Sequence, residues 1–204
     1  MACYIFGAGS FCGLQAFPQR GDYVIAADGG WLHCQRSGIQ PSILLGDFDS
    51  IQELPDFACI KRFPVEKDDT DMMLAIKDGL THGETEFHLY GGMGGHRTDH
   101  TIANLQSLCY LAKHSAHGWL YGDGEVYTAI YNERITFDTQ TSGIISVFCM
   151  GAEAEGVTIN GGQYEVENVA LSADFPLGVS NHFVGKPITV SVKNGCLLIG
   201  CRNE

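Results

Sequence analysis

Residues 42–50, SILLGDFDS, join a short apolar run to a loop that carries two carboxylates. The run ILL is a candidate strand, and ligands of open α/β sheets bind in the loops that follow the strands. Asp47 and Asp49 stand two residues apart in that loop and offer the oxygen ligands that Mg²⁺ requires. The alternative is an Asx turn with a helix cap at Asp49 or Ser50. The metal interpretation is favoured because neighbouring acids repel each other unless a cation neutralises them.

The pattern of a short apolar run followed by a segment of helical period continues through about residue 118. It is typical of a parallel sheet covered by helices. We therefore predict an α/β domain over residues 1–118. Its candidate strands are residues 3–6, 23–27, 43–45 and 87–90, and its candidate helices are residues 71–80 and 101–113.

From about residue 119 the sequence changes to β-rich segments separated by turns, and no strong helical period remains. Asn194-Gly195 is the strongest short hairpin pattern in the chain, because it lies between two apolar runs and both residues tolerate a positive φ. We predict an antiparallel sandwich or small barrel over residues 119–204. Its candidate strands are residues 125–130, 135–137, 144–150, 156–159 and 188–192.

Composition narrows the class of partner. The 204 residues include 24 acidic and 12 basic side chains, which gives a formal net charge of -12. This charge repels nucleic acid and anionic membranes, so we expect a small-molecule ligand. No apolar stretch reaches the roughly 18 residues of a membrane span, and the N-terminus lacks the pattern of a signal peptide. The eight cysteines are dispersed and form no CxxC pair, so we expect a cytoplasmic protein with buried, reduced thiols.

Two further loops place glycine beside ionisable side chains. In ADGG, residues 27–30, the backbone at Gly29 can approach an anion while Asp28 ligates a metal, although an Asp-Gly pair is also an ordinary turn. In GGMGGHRTDH, residues 91–100, the glycines can wrap phosphate and Arg97 offers a planar fork to hold it. Flexibility for its own sake is the alternative interpretation of those glycines.

The segment KDDTD, residues 67–71, precedes a candidate helix. A string of this kind is usually a solvated charge run. At a helix N-terminus, however, backbone amides and Lys67 can hold phosphate while Asp71 supplies a metal ligand. Asp71 and Asp99 are also explained as acidic residues in the first turn of a helix.

Several common ligand motifs are absent from the sequence. There is no Walker A pattern and no GxGxxG, which argues against P-loop and dinucleotide-cofactor chemistry. GAGS, residues 7–10, is a partial glycine loop after the first strand, where it can line a nucleotide site. The eight histidines lack a metal-binding spacing, so we interpret most of them as surface or structural residues.

In their order and spacing, ADGG, GDFDS, KDDTD and RTDHTIANL (residues 97–105) resemble the motif series of the thiamine pyrophosphokinase family. GVSN, residues 178–181, resembles that family's short thiamine-binding motif, so the resemblance spans nearly the whole chain. One departure is His96, which separates the glycine pair from Arg97, whereas family loops usually place the arginine directly after the glycines.

The resemblance implies an N-terminal α/β (Rossmann-like) catalytic domain, a C-terminal antiparallel β-sandwich and a homodimer with thiamine bound between subunits. It also implies that ATP donates its diphosphate to the thiamine hydroxyl with Mg²⁺ as cofactor, leaving AMP. The catalytic residues that it implies are Asp71, Arg97 and Asp99, and the metal ligands are Asp47, Asp49 and Asp71. The substrate-binding residues that it implies are Asp28, Gly29, Lys67, Asp68, Thr70, Ser180 and Asn181.

Two rival functions use the same side chains. A metal-dependent phosphohydrolase would activate water instead of an alcohol and release phosphate or pyrophosphate without an acceptor. A nucleotide- or thiamine-binding module would bind its ligand without turnover, but a pure binder gains little from carboxylates that act on the transition state. The sequence does not choose between Asp71 and Asp99 as the group that accepts the hydroxyl proton.

Overall fold

The structure is a computed structural model that describes residues 1–48, 57–64, 66 and 68–202. The chain divides into two compact units. Unit 1 is Met1–Ser107 with Gly118–Asp123, and unit 2 is Leu108–His117 with Gly124–Glu204. In the described part of the chain, no helix combines the length and the apolar character needed to cross a membrane.

The core of unit 1 is a sheet with the strand order β6-β5-β1-β2-β3-β4. Its strands are β1 (Cys3–Phe6), β2 (Tyr23–Ala27), β3 (Ile43–Gly46), β4 (Ile60–Arg62), β5 (Glu86–Tyr90) and β6 (His117–Tyr121). The neighbouring pairs from β5 through β4 are all parallel. The prediction of a parallel sheet is therefore confirmed, although β4 and β6 are absent from the predicted strands.

Helices cover both faces of this sheet. They are α1 (Gly30–Arg36) and α2 (Asp71–His82), and a third helix, α3 (Thr98–Lys113), follows β5. Cys34 of α1 packs in one cluster with Tyr4 of β1, whereas a Cβ on Gly79 of α2 would meet the side chain of Cys3. Because successive strand residues point to opposite faces, α1 and α2 lie on opposite sides of the sheet. This arrangement leaves the loops at the carboxyl ends of the strands uncovered for a ligand.

Helix α2 shows how the sequence specifies these elements. Its buried residues recur at helical spacing, so one face packs on the sheet: Met72, Ala75, Ile76 and Gly79. The side chain of Thr70 caps the helix by accepting a hydrogen bond from the backbone N–H of Met73, at 3.2 Å. Gly83 ends it in the left-handed conformation, with φ of 96°.

Unit 2 contains two antiparallel sheets that share one core. The strands are β7 (Glu125–Tyr131), β8 (Arg134–Phe137), β9 (Ile144–Cys149), β10 (Glu153–Asn160), β11 (Val166–Ser172), β12 (Asn181–His182), β13 (Ile188–Ser191) and β14 (Cys196–Arg202). One sheet has the order β12-β9-β14-β7 and the other β11-β10-β13-β8. Val147 and Ile199 from the first sheet pack in the same cluster as Val157 and Val190 from the second. The predicted sandwich is confirmed.

The predicted hairpin at Asn194-Gly195 is wrong. Strand β13 pairs with β10 and β8, whereas β14 pairs with β7 and β9, so the two residues join the two sheets of the sandwich. The positive φ was anticipated correctly, since Gly195 has φ of 122°. Its N–H donates to the side chain of Asn132 at 2.8 Å. Turn chemistry reverses the chain but does not choose the partner strand, which the shared core decides here.

The cysteines are less uniformly buried than predicted. All eight are free, and six of them are buried. Burial raises the pKa of the Cys34 thiol, and likewise that of Cys201, to about 12. The prediction of buried thiols is wrong for Cys12 and Cys59, which are exposed.

Candidate active site

A cavity of about 760 Å³ opens at the carboxyl edge of the unit 1 sheet. Strand β1 has β2 on one side and β5 on the other. The chain therefore adds β2, β3 and β4 on one side of β1 and then crosses to the other side to form β5. The loops that follow β1 and β5 separate at such a point and leave a crevice. Loops after β1, β2, β3 and β5, together with the first turns of α2 and α3, line the cavity.

Glycines form one wall of the cavity because two backbones touch there. The N–H of Gly7 donates to the carbonyl of Tyr90, and that of Gly9 donates to the carbonyl of Gly91, both at 2.8 Å. A Cβ on Gly91 would overlap the carbonyl oxygen of Gly7, and Gly91 has φ of 65°. These glycines therefore serve close backbone approach and a left-handed conformation rather than flexibility.

Three carboxylate residues line the cavity: Asp28 after β2, Asp47 after β3 and Asp71 in the first turn of α2. The N–H of Asp28 donates to the carbonyl of Leu45 at 2.8 Å, which holds the β2 loop against β3. Phe48 has a positive φ of 61°, an uncommon conformation for a bulky residue. Its side chain is buried in the core of unit 1 and anchors the loop directly after Asp47.

The N-terminus of α2 contributes Thr70 and Asp71 to the cavity. The Thr70 hydroxyl caps the helix, and this hydrogen bond fixes the first turn of α2, a turn whose other backbone N–H groups have no partner within the helix. Asp68, predicted as a substrate contact, is exposed and lies outside the lining of the cavity. Asp69 forms an ion pair with Lys77 at 2.7 Å. Asp68 and Asp69 are therefore surface charges, the usual role of such a charge run.

Arg97 and Asp99 form an ion pair with each other. The Arg97 Nη2 donates to Asp99 Oδ2 at 2.8 Å and its Nε donates to Oδ1 at 3.4 Å. Both side chains are 66% exposed. The hydrogen bond from Arg97 lowers the pKa of Asp99 below its ordinary value. Arg97 lines the cavity whereas Asp99 does not, so the ion pair lies at the edge of the cavity and Asp99 offsets the charge of Arg97 there.

The sequence reasoning missed Asn104, which lines the cavity from the second turn of α3. It is 6% exposed, and its side-chain amide donates to the carbonyl of Gly92 at 2.7 Å. Asn104 therefore fixes the glycine-rich loop to α3. The sequence feature that could have identified it is its polar side chain among the apolar residues that recur at helical spacing in residues 101–113. His96, His100 and Thr101 also line the cavity and were missed, whereas Ser10 belongs to the GAGS loop that was predicted to line a nucleotide site.

In unit 2, Asn181 uses its side chain within the fold. Its Oδ1 accepts from the backbone N–H of Tyr164 and of His182, both at 2.9 Å, and its Nδ2 donates to the carbonyl of Tyr164. Ser180 is exposed and has φ of 61°, and its N–H donates to the hydroxyl of Ser146 at 3.1 Å. The GVSN segment is thus a hydrogen-bonded turn that leads into β12, with Ser180 in a left-handed conformation that is uncommon outside glycine.

The cavity unites five of the predicted site residues: Asp28, Asp47, Thr70, Asp71 and Arg97. Three more from unit 1 lie outside its lining: Gly29, Asp68 and Asp99. Asp49 and Lys67 lie outside the described residues. Across residues 1–48, 57–64, 66 and 68–202, no three His, Cys, Asp or Glu side chains are arranged to hold a metal ion by themselves.

Comparison with known proteins adds to this geometry. Residues 14–120 match the family model for the thiamin pyrophosphokinase catalytic domain, and residues 132–197 match that for the thiamin pyrophosphokinase vitamin B1 binding domain. A thiamine pyrophosphokinase of Bacillus subtilis is 27% identical over 190 residues, which cover 86% of this chain and 85% of the relative.

Solved structures share the fold. The crystal structure of thiamine pyrophosphokinase from Bacillus subtilis matches with a TM-score of 0.89 at 22% identity, covering 100% of both chains. That of the enzyme from Geobacillus thermodenitrificans matches with a TM-score of 0.86 at 23% identity, covering 100% of this chain and 98% of the other. The fold, the cavity and the matched catalytic model place the protein among the ATP-dependent diphosphotransferases. The chain belongs to the thiamine pyrophosphokinase family.

Proposed function

We propose that the cavity of unit 1 binds the polyphosphate of ATP and that its residues direct the reaction of the family, transfer of the diphosphate to the hydroxyl of thiamine. The observation that carries the proposal is the convergence of separate motifs on one cavity. Asp28, Asp47, Asp71 and Arg97 come from four different stretches of sequence and all line it. The glycines of the wall present backbone without side chains to the cavity, as phosphate-binding loops do.

Charge balance supports Mg²⁺ as the cofactor. Three carboxylate residues face one arginine in the lining, so a polyphosphate anion would be repelled without a cation. Oxygen donors of this kind fit Mg²⁺, which keeps several waters and shares its coordination with substrate phosphates. The proposed ligands are Asp47, Asp71 and Asp49, which follows Asp47 by two residues in the sequence. When bound, the ion neutralises charge on the polyphosphate oxygens.

The chemistry is an in-line displacement at the β-phosphorus. The bond from the thiamine hydroxyl oxygen to that phosphorus forms, the bond to the α-phosphate oxygen breaks, and AMP leaves with the electron pair. Arg97 offsets negative charge on the transferred diphosphate, and Asp99 orients Arg97 through their ion pair. Asp71 and Asp99 are the two proposed acceptors of the hydroxyl proton, and a loose transition state requires little help from either.

The remaining assignments concern substrate binding. We propose Asp28, Gly29, Lys67, Asp68 and Thr70 on the nucleotide side, with residues 1–118 as the ATP- and Mg²⁺-binding domain. We propose Ser180 and Asn181 on the thiamine side, with residues 119–204 as the thiamine-binding domain, in keeping with the vitamin B1 binding match over residues 132–197. A homodimer in the cytoplasm completes the proposal, and eight free cysteines suit a reducing compartment.

Substitution of one metal ligand tests the proposal. In Asp47→Asn, we expect turnover at limiting Mg²⁺ to fall on the order of 100-fold, because one preorganised charge contact to the transition state is lost. Asp123→Asn, at an exposed carboxylate of unit 1, is the matched control and should retain wild-type turnover. Circular dichroism establishes that both variants are folded. Wild-type turnover in Asp47→Asn at limiting Mg²⁺ would refute the assignment.

A further inference from the structure

Residues 10–18, here called the strap, run from the cavity onto one face of the unit 1 sheet. Phe11, Leu14 and Ala16 of the strap pack against a buried cluster that includes Phe6 and Tyr90. The strap has no regular secondary structure apart from the bridge of its first residue, so side chains outside it determine its path. The Tyr4 hydroxyl holds its far end by donating to the carbonyl of Phe17 at 3.2 Å, and two further contacts hold the part nearer the cavity.

The first contact is made by the hydroxyl of Tyr90. It donates to the carbonyl of Ala16 and accepts from the N–H of Ala16, both at 2.9 Å. Tyr90 is 1% exposed and stacks on Phe6 and Tyr121, with ring centroids 5.3 Å and 4.7 Å apart. Burial raises the pKa of Tyr90 to about 12, so its hydroxyl keeps the proton that it donates.

The second contact is made by His33 of α1. Its Nε2 lies 2.9 Å from the carbonyl oxygen of Gly9, which requires the proton to be on Nε2. The imidazole also stacks on Phe11, with centroids 5.0 Å apart and planes 23° apart. His33 therefore holds the backbone of Gly9, at the cavity end of the strap, and the side chain of Phe11 within the strap.

The strap begins at the cavity wall. Ser10 lines the cavity and forms an isolated bridge with Met93 of the glycine-rich loop. A Cβ on Gly94 would lie 3.4 Å from the Ser10 hydroxyl, so the two loops are in close contact. A strap that shifts must therefore move Ser10 against the glycine-rich loop.

We propose that Tyr90 and His33 are positioning residues for ATP, because they hold the strap and thereby keep the glycine wall in the conformation that binds phosphate. This inference rests on the proposed function of the cavity. Neither side chain lines the cavity, so each acts through Gly9 and Ser10. When the strap is released, only part of the population has the binding-competent wall, and the apparent Kd rises by the inverse of that fraction.

Tyr90→Phe tests the inference, because it keeps the ring and its stacking and removes only the hydroxyl. Tyr121→Phe is the matched control: Tyr121 belongs to the same aromatic stack and hydrogen bonds to His88 at 2.9 Å instead of the strap. Calorimetric titration with ATP and Mg²⁺ gives the Kd, and hydrogen exchange without nucleotide follows the Ala16 amide. For Tyr90→Phe we expect faster exchange at Ala16 and a Kd raised on the order of 5- to 25-fold, because two hydrogen bonds to Ala16 are lost and each is worth about fivefold. Tyr121→Phe should stay within about twofold of wild type.

A lower melting temperature in both variants with an unchanged Kd would make Tyr90 a merely structural residue and overturn the inference. Equal increases in Kd for both variants would do the same. If Tyr90→Phe does not fold, His33→Phe decides, since it keeps the stacking on Phe11 and removes the donor to Gly9. An unchanged Kd in folded His33→Phe then overturns the inference. Failure of the wild-type protein to bind ATP would instead refute the proposed function on which the inference rests.

Discussion

Replacement of Asn104 by alanine should loosen the glycine-rich loop and weaken ATP binding. The lost contact is the 2.7 Å hydrogen bond from the Asn104 amide to the carbonyl of Gly92. Its net value is about 1 kcal/mol, and leaving the Gly92 carbonyl without this donor adds a similar amount. The total of about 2 kcal/mol corresponds to a fall in melting temperature of roughly 4–8 °C for a chain of this size.

The lost hydrogen bond also weakens ATP binding, because the glycine-rich loop lines the cavity. If about half of this 2 kcal/mol destabilises the loop conformation that binds ATP, the KM for ATP rises on the order of fivefold. Thermal melts and steady-state kinetics with varied ATP measure both effects. Gln106→Ala removes an exposed amide from the same helix and is the matched control. Equal melting temperatures and equal KM values in Asn104→Ala and Gln106→Ala would show that Asn104 does not hold the loop.

Two other predictions concern stability. Burial lowers the pKa of His88 below its ordinary value of 6.5, although the negative charges of Glu86 and Asp22 act to raise it. As pH falls, the unfolded chain therefore takes up the proton at a higher pH than the folded protein does. Stability should therefore fall as pH drops below about 6.5, and melts from pH 7.5 to 5.5 should show a smaller fall in His88→Phe; equal slopes would contradict this. Asn181→Ala removes three hydrogen bonds, two of them to the backbone of Tyr164, and should cost about 2–4 kcal/mol by chemical denaturation. A cost below about 1 kcal/mol would show that water replaces them.

Local pattern was sufficient for much of the fold. The four predicted strands of unit 1 exist because short buried apolar runs end in Gly or Asp, and α2 exists because apolar residues recur every three or four positions. Strand β4 escaped prediction because Ile60–Arg62 has only one residue that is even partly buried. An edge strand of this kind is defined by its partner rather than by its own pattern.

Long-range arrangement was less accessible. The Asn194-Gly195 turn was identified from its backbone preference, but its flanking strands belong to different sheets. The same limit applies to the site. Asp28, Asp47 and Asp71 were found because each follows a strand or starts a helix, whereas Asn104 acts through a contact with Gly92, a distant part of the chain. Sequence spacing does not encode such a contact until the fold is known.

Diphosphate transfer is measured by following AMP and thiamine diphosphate together, in samples of the protein with ATP and Mg²⁺, with and without thiamine. We predict that the two products form in equal amounts and only when thiamine is present. Release of phosphate or pyrophosphate without thiamine would identify a hydrolase, and tight ligand binding without turnover would identify a binding module. Either result would contradict diphosphate transfer at this cavity.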